Sequence, residues 1–214
     1  MHIPAQIPPE AAAAPRRVDQ SRRIRVLRIA FVALLPLMLF TRSAWSEMHW
    51  FFDLFEVSGI FLVIAGVLGR FWAILYIGGR KNRTVVDEGP YSICRHPLYL
   101  FSTLGVLGFG MMLGSLVLTV LFGGLVLVIL QITAGREEAF LRASLGDDYA
   151  AYAARVPRIL PKLSGFRTGP TVEVDLRHLR GNLFDALVFL SFIPIAELLE
   201  VVKEEGWVTT FAIW

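Results

Sequence analysis

Between Arg95 and Arg136 the chain runs for 40 residues, 96–135, without one Asp, Glu, Lys or Arg. A helix rises about 1.5 Å per residue and a bilayer core is about 30 Å thick, so about 20 residues cross once. The uncharged run has the length of two crossings and predicts a helical hairpin. Its turn is expected where small residues gather, from Gly108-Phe109-Gly110 to Gly114-Ser115. Two crossings return Arg95 and Arg136 to the same side.

Three further segments carry the apolar pattern less cleanly. Residues 29–40 are apolar and extend back to about Ile24, with Arg25 and Arg28 placed to snorkel to the interface. Residues 50–79 predict one long helix, interrupted by Asp53, Glu56 and Arg70 around an uncharged centre at 57–69. Residues 183–199 are apolar apart from Asp185 and Glu197 and contain Pro194, while 206–214 is too short to span. The expected fold is all-α: a polytopic integral membrane protein with about five transmembrane helices, the fifth spanning or interfacial.

Composition supports this reading. Of 214 residues, 55% are hydrophobic and 18% charged, with a mean hydropathy of +0.59, whereas a soluble domain carries about 25% charge. A water-soluble fold this small cannot bury that excess, and a disordered chain would not contain it. Cys94 is the single cysteine, so no internal disulfide forms.

The net charge of +3 hides a strong asymmetry. Six arginines (16, 17, 22, 23, 25 and 28) precede the first span, five cations (Arg70, Arg80, Lys81, Arg83, Arg95) surround the second loop, and eight (Arg136 to Arg180) follow the hairpin. Only Arg42 and Lys203 fall on the other side, a division of 19 to 2. The positive-inside rule then puts the N-terminus and both large loops in the cytoplasm; the expected location is a bacterial inner membrane. The expected divisions are a disordered basic tail over 1–23, a transmembrane domain over 24–163 and a membrane-associated extension over 164–214. Residues 1–15, rich in Ala and Pro, do not have the order of a signal peptide, because the basic cluster follows them. The cations flank spans without interleaved aromatics, which argues against a nucleic-acid partner.

Most familiar chemistries are absent. His2, His49, His96 and His178 form no i,i+4 pair, so no histidine metal site is expected. No G-x-S-x-G, S-x-x-K or P-loop occurs, and the glycines at 105, 108 and 110 follow no strand. Close helix packing through small residues explains them instead. Two polar groups remain, one at each end of the hairpin. The first is Asp87-Glu88-Gly89-Pro90-Tyr91-Ser92-Ile93-Cys94-Arg95-His96-Pro97-Leu98-Tyr99. Gly-Pro marks a turn, and Pro97 suits the first position of a helix, whose start favours an anion. A plain interfacial anchor of Arg and Tyr explains the same residues equally well. The second group holds Arg136-Glu137-Glu138, with Arg142 at i,i+4 from Glu138, then Gly146-Asp147-Asp148-Tyr149 and Tyr152-Ala-Ala-Arg155-Val156-Pro157-Arg158. It reads as an amphipathic helix capped near Gly146 and stopped before Pro157. The hairpin brings the two groups together, and convergent ionisable residues at a membrane face are a functional signal.

Gly89-Pro90-Tyr91, Arg95-His96-Pro97-Leu98-Tyr99, an uncharged hairpin, Glu137-Glu138 and Gly146-x-x-Tyr149-x-x-Tyr152-x-x-Arg155-Val156-Pro157 together resemble the isoprenylcysteine carboxyl methyltransferase family, related to phospholipid N-methyltransferases. The resemblance covers about half the chain. It implies an integral membrane enzyme that uses S-adenosyl-L-methionine (SAM) without a Rossmann domain, the hairpin and a cytoplasmic helix after it forming the cofactor pocket. By position, His96, Pro97, Leu98, Tyr99, Glu137, Glu138 and Tyr149 would hold SAM, the helix start meeting its carboxylate and a glutamate its amino group or sulfonium. Arg155 would face the methyl acceptor, Arg95 would orient the site, and Glu138 would share in catalysis. The acceptor would be a carboxylate, or another oxygen or nitrogen, of an amphiphilic, lipid-like or lipidated substrate entering among membrane lipids. Where the family motif continues with Gly two positions after the Tyr, Phe101 stands here, which bears on the acceptor channel.

Two other readings share these residues. A membrane reductase of the steroid 5α-reductase type has a similar His-Pro-x-Tyr element and binds NADPH, but tends to show a Gly-Glu pair where this chain has Phe101-Ser102. A non-catalytic membrane protein would keep the hairpin without needing Arg155 or the glutamates. Cys94 is read as a packing residue rather than a nucleophile.

Overall fold

A computed structural model describes residues 20–44, 48–80 and 84–213. The basic tail up to residue 19, with Arg16 and Arg17, and the loop cations Lys81 and Arg83 lie outside the described residues. The elements run α1 (Gln20–Phe40), β1 (Thr41–Ser43), α2 (His49–Ile77), α3 (Pro90–Ile93), α4 (Pro97–Met112), α5 (Leu116–Arg155), α6 (Leu176–Leu190), α7 (Phe192–Glu204) and β2 (Phe211–Ile213).

The hairpin is present where the uncharged run placed it. Helix α4 ends at Met112, Gly114 takes φ +66°, and the Ser115 hydroxyl accepts from the Leu118 N–H to start α5. Residues 116–135 of α5 carry no charge and reach about 30 Å; the helix then continues past this apolar part to Arg155, kinked at Gly146 (φ +54°). Among the described residues, α2 and α5 are long and apolar enough to cross a membrane, and α4 is a shorter apolar helix.

Glycine faces set the packing of α2 on α4. A methyl group added at Gly59 would lie 2.6 Å from the Gly108 carbonyl oxygen, and one at Gly66 would lie 2.8 Å from that of Phe101. The backbones are therefore in contact with no room for a side chain, the arrangement by which helices associate where lipid removes the hydrophobic drive. A core of Met38, Val63, Phe109, Met112, Leu113, Leu118, Phe122 and Ala196 joins α1, α2, α4, α5 and α7. Outside it the helices present large apolar side chains, among them Ile29, Phe61, Leu68, Val120, Phe184 and Leu198, each more than 60% exposed. A surface this apolar suits contact with lipid chains.

The chain departs from expectation after residue 165. The apolar segment 183–199 is divided between two helices that meet at Ser191, and Pro194 falls in the first turn of α7, where its missing N–H costs nothing. Helix α6 starts beside the end of α2, where Asp175 caps it by accepting from the Arg177 and His178 N–H groups. Phe189 then reaches Gly105 in mid-α4, and Ala196 of α7 joins the core by Met112 and Leu113. The pair thus runs the length of the bundle in two pieces. A short parallel pairing of β1 with β2, Thr41 opposite Phe211 and Ser43 opposite Ile213, adds a strand contact to an otherwise helical fold. It lies at the turn end, where the Ser43 hydroxyl donates to the Gly114 carbonyl at 2.6 Å.

Candidate functional site

At the other end of the bundle, α3 is buried and held from two sides. The helix stop at Pro157 turns the chain into an extended strip that runs back along residues 89–96. Arg95 N–H donates to the Pro157 carbonyl (2.9 Å), His96 N–H to Arg158 (3.1 Å), Lys162 N–H to Ile93 (2.9 Å) and Gly89 N–H to Arg167 (2.8 Å). The Tyr152 hydroxyl donates to the Tyr91 carbonyl at 2.9 Å. These bonds satisfy a buried loop that would otherwise carry unpaired backbone groups, and they fix the position of every side chain between Tyr91 and Tyr99.

Glu138 sits at the centre, with its side chain 4% exposed. One carboxylate oxygen accepts from His96 Nε2 (3.1 Å) and Arg158 Nε (3.0 Å). The other lies 2.7 Å from Arg158 Nη2 and 3.2 Å from Arg95 Nη1. Because an ionised carboxylate only accepts, His96 Nε2 must carry the proton of this bond. Burial pushes the Glu138 carboxyl up, but the bonds from His96 and Arg158 and the Arg95 charge outweigh it and hold the group down to about 2. The His96 and Tyr99 rings stack with centroids 5.3 Å apart and 4° between planes, and Glu137 Oε2 stands 3.9 Å from His96 Nδ1.

In front of this cluster is a cavity of about 80 Å³ lined by, among others, Tyr91, Arg95, His96, Leu98, Tyr99, Glu137, Tyr149 and Tyr152. The two polar motifs predicted to meet do so here. Of the residues singled out from the sequence, Arg95, His96, Leu98, Tyr99, Glu137 and Tyr149 line the cavity, whereas Pro97 is buried in the helix start and Glu138 holds the wall from behind. Arg155 is elsewhere. Half exposed, it reaches Asp87 at 3.2 Å beside Arg167, and it lines neither this cavity nor the larger one next to it. The extended strip after Pro157 brings Arg158 to Glu138. At the helix start the N–H groups of Tyr99 and Leu100 bond the His96 carbonyl, and that of His96 is taken by the Arg158 carbonyl.

Sequence reasoning passed over Tyr91 as a site residue. Among the described residues its buried hydroxyl has no hydrogen-bond partner, nor has Arg95 Nε, and burial raises the Tyr91 phenol well above its ordinary value, so it stays a donor. Two orphaned donors on one cavity wall mark a place for a ligand acceptor. Cys94, by contrast, donates to the Ile159 carbonyl at 3.1 Å, and burial pushes its thiol up to about 11. That thiol is a structural donor.

A second cavity of about 1310 Å³ adjoins the first, sharing Ile77, Leu98 and Tyr99 as a common wall. It is bordered by α1, α2, α4, α5, α6 and the start of α7, with a mostly apolar lining that includes Phe31, Ile74, Val106, Phe109, Leu125 and Phe189 beside charged residues such as Arg28, Arg70 and Arg177.

Residues 54–148 match the family model described as phospholipid methyltransferase. Over 202 residues the chain is 35% identical to the cobalt-zinc-cadmium resistance protein CzcN of Cupriavidus metallidurans, covering 93% of both chains. It is 31% identical to the nickel-cobalt-cadmium resistance protein NccN of Alcaligenes xylosoxydans xylosoxydans, over 95% of this chain and 96% of that one. The chain belongs with CzcN and NccN and carries a phospholipid methyltransferase domain over residues 54–148. A protein-S-isoprenylcysteine O-methyltransferase of Schizosaccharomyces pombe is 35% identical over 81 residues, 38% of this chain and 34% of its own length. No solved structure matches. The phospholipid methyltransferase match takes in the cavity wall from α4 to Glu138 but stops before Arg158 and α6, which lie in the part where the similarity to CzcN and NccN continues.

Proposed function

We propose that this member of a membrane methyltransferase family uses SAM to methylate an oxygen or nitrogen, a carboxylate in first place, on an amphiphilic substrate. The observation that carries the reading is the small cavity with Arg95, His96, Tyr99 and Glu137 in its wall, separated by Leu98 and Tyr99 from a large, mostly apolar one. The donor set suits the charged end of SAM. Arg95 and the orphaned Tyr91 hydroxyl are donors for a carboxylate, and Glu137 is an acceptor for an ammonium group. The volume of about 80 Å³ is below the roughly 300 Å³ of small-molecule sites, so the pocket has to widen to take the whole cofactor.

When bound, SAM supplies a methyl group already activated on a sulfonium, so no protein nucleophile is needed. The protein's part is to hold and exclude. Glu138 fixes Arg95 and His96 through charge-assisted bonds, the Tyr99 ring separates polar from apolar space, and the buried tyrosines keep water out. The cation asymmetry of the sequence supports a cytoplasmic position for this face in a bacterial inner membrane.

CzcN and NccN are named for resistance to divalent metals. A metal ion at this pocket is disfavoured by the Arg95 and Arg158 charges around Glu138.

Titration calorimetry in detergent tests the cofactor: S-adenosylhomocysteine should bind, and binding should weaken at least tenfold in His96→Ala. Saturable binding of NADPH with none of S-adenosylhomocysteine would establish the reductase reading instead.

A further inference from the structure

Resting on that reading, the large cavity raises the question of what selects the acceptor. Its wall is mostly apolar; Arg28, Arg177 and His178 also border it, and a hydrogen-bonded polar group stands one helical turn from Tyr99. Here Arg70 Nη1 donates to the Ser102 hydroxyl at 2.6 Å, and Arg70 Nη2 donates to Asn182 Oδ1 at 3.1 Å and Asp185 Oδ2 at 2.7 Å. Ser102 in turn donates to the Leu98 carbonyl at 2.7 Å, which ties the group to the wall shared with the cofactor cavity. Asp185 is 63% exposed and its pairing with Arg70 is open to solvent screening.

Asn182 is different. It is 4% exposed, lines the cavity, and its Nδ2 has no hydrogen-bond partner among the described residues. Its amide cannot be turned over to cure this. Arg70 is a pure donor, so Oδ1 must face it and Nδ2 must face away. A buried donor left unpaired is a standing cost unless something outside the protein accepts from it.

We infer that α6 builds the acceptor seat, with Asn182 as the donor that selects the head group of a single long-chain amphiphile bearing a carboxylate or carbonyl oxygen. The chain of such a molecule lies along Val106, Phe109 and Phe189, and its head meets Asn182 beside the Leu98–Tyr99 wall. The volume exceeds that of a typical drug-sized site, which leaves room for an extended hydrocarbon. The C-terminal helices are thus an acceptor-recognition element, outside the residues that match the family model.

The test uses the full-length protein in detergent and three dansyl-labelled probes with equal chains: a fatty acid, a fatty amine and a hydrocarbon without a head group. Folding is read from the thermal transition, independently of any cofactor. The acid should bind at least tenfold more tightly than the other two. Asn182→Asp, which keeps an oxygen for Arg70 and removes the donor, should lose that preference. Val188→Trp, on the exposed part of the cavity wall, should weaken the acid at least tenfold by filling space. Equal binding of acid and amine, or an acid preference retained in Asn182→Asp, would overturn the assignment. S-adenosylhomocysteine binding is measured alongside. If it is absent while the acid preference depends on Asn182, the cofactor reading fails and the seat stands; if it is present without that dependence, the seat alone fails.

Discussion

Replacing Glu138 by Gln probes the centre of the site with almost no change in shape. All the groups that face the carboxylate are donors: His96 Nε2, Arg95 Nη1, and Arg158 Nε and Nη2. A carboxylate satisfies all of them, whereas an amide must turn its own NH₂ toward one side and confront a donor with a donor. Removing one member of a buried charge cluster costs about 3–5 kcal/mol, because the remaining charges are left uncompensated. For a chain of this size that is a fall in Tm of roughly 10 °C.

The pH dependence gives an independent reading of the same cluster. Unfolded, the carboxyl titrates near its ordinary 4.5; folded, it is held at about 2. The cluster therefore contributes its full stability above about pH 4.5, and that contribution drains away as the pH falls toward about 2. The gap between the two values amounts to on the order of 3 kcal/mol. Thermal unfolding of the detergent-solubilised protein from pH 7 to pH 2.5 should show the wild type losing stability over this window faster than Glu138→Gln, so that their Tm values converge in acid. A Gln variant with the wild-type Tm at neutral pH, or curves that stay parallel down to pH 2.5, would refute the charge-cluster reasoning.

Other substitutions read other parts of the structure. Tyr91→Phe removes the unpartnered hydroxyl without touching packing, and should lower affinity for S-adenosylhomocysteine by roughly fivefold in calorimetry while leaving Tm unchanged or slightly raised. Arg158→Ala should lower both Tm and methyl transfer, whereas Arg155→Ala, which loses only a half-exposed pairing with Asp87, should change stability by less than about 1 kcal/mol and keep cofactor affinity; the reverse ranking would refute the support given to Glu138 by Arg158. Gly108→Ala forces a methyl within 2.5 Å of the Gly59 carbonyl and should destabilise by about 1–3 kcal/mol in a denaturation assay, while Gly124→Ala meets nothing within 4 Å and should be neutral or stabilising.

The hairpin was legible because its signal is local and one-dimensional: 40 uncharged residues have a length, a bilayer has a thickness, and Gly114-Ser115 mark the turn. The meeting of Arg95–Tyr99 with Glu137–Glu138 then follows from counting crossings. That Arg158 completes the Glu138 cluster was not legible. It depends on the strip after Pro157 running back along residues 89–96, a non-local pairing with no periodicity of its own. The break of the last apolar segment at Ser191 and the three-residue pairing of β1 with β2 were hidden for the same reason: each is decided by what the segment packs against. Arg70 shows the converse. Read from the sequence it is one more topology cation, yet it sits two turns inside α2 because Ser102, Asn182 and Asp185 give its guanidinium partners there.

On the proposed chemistry, the two cavities divide demands that a single pocket meets poorly. A charged cofactor fragment needs fixed donors and acceptors, and these hold their geometry only when each is tied from behind, as Glu138 ties Arg95 and His96. A hydrocarbon chain needs apolar volume and few contacts to satisfy. The wall of Ile77, Leu98 and Tyr99 borders both, so the reacting atoms have to meet across it. Tyr99 is the residue most constrained by this arrangement, since its ring stacks on His96, packs with Leu130 and Ala134, and faces each cavity in turn. Tyr99→Ala would merge the two spaces, and the measurable consequence is specific: S-adenosylhomocysteine and the long-chain acid, independent in the wild type, should compete for one site.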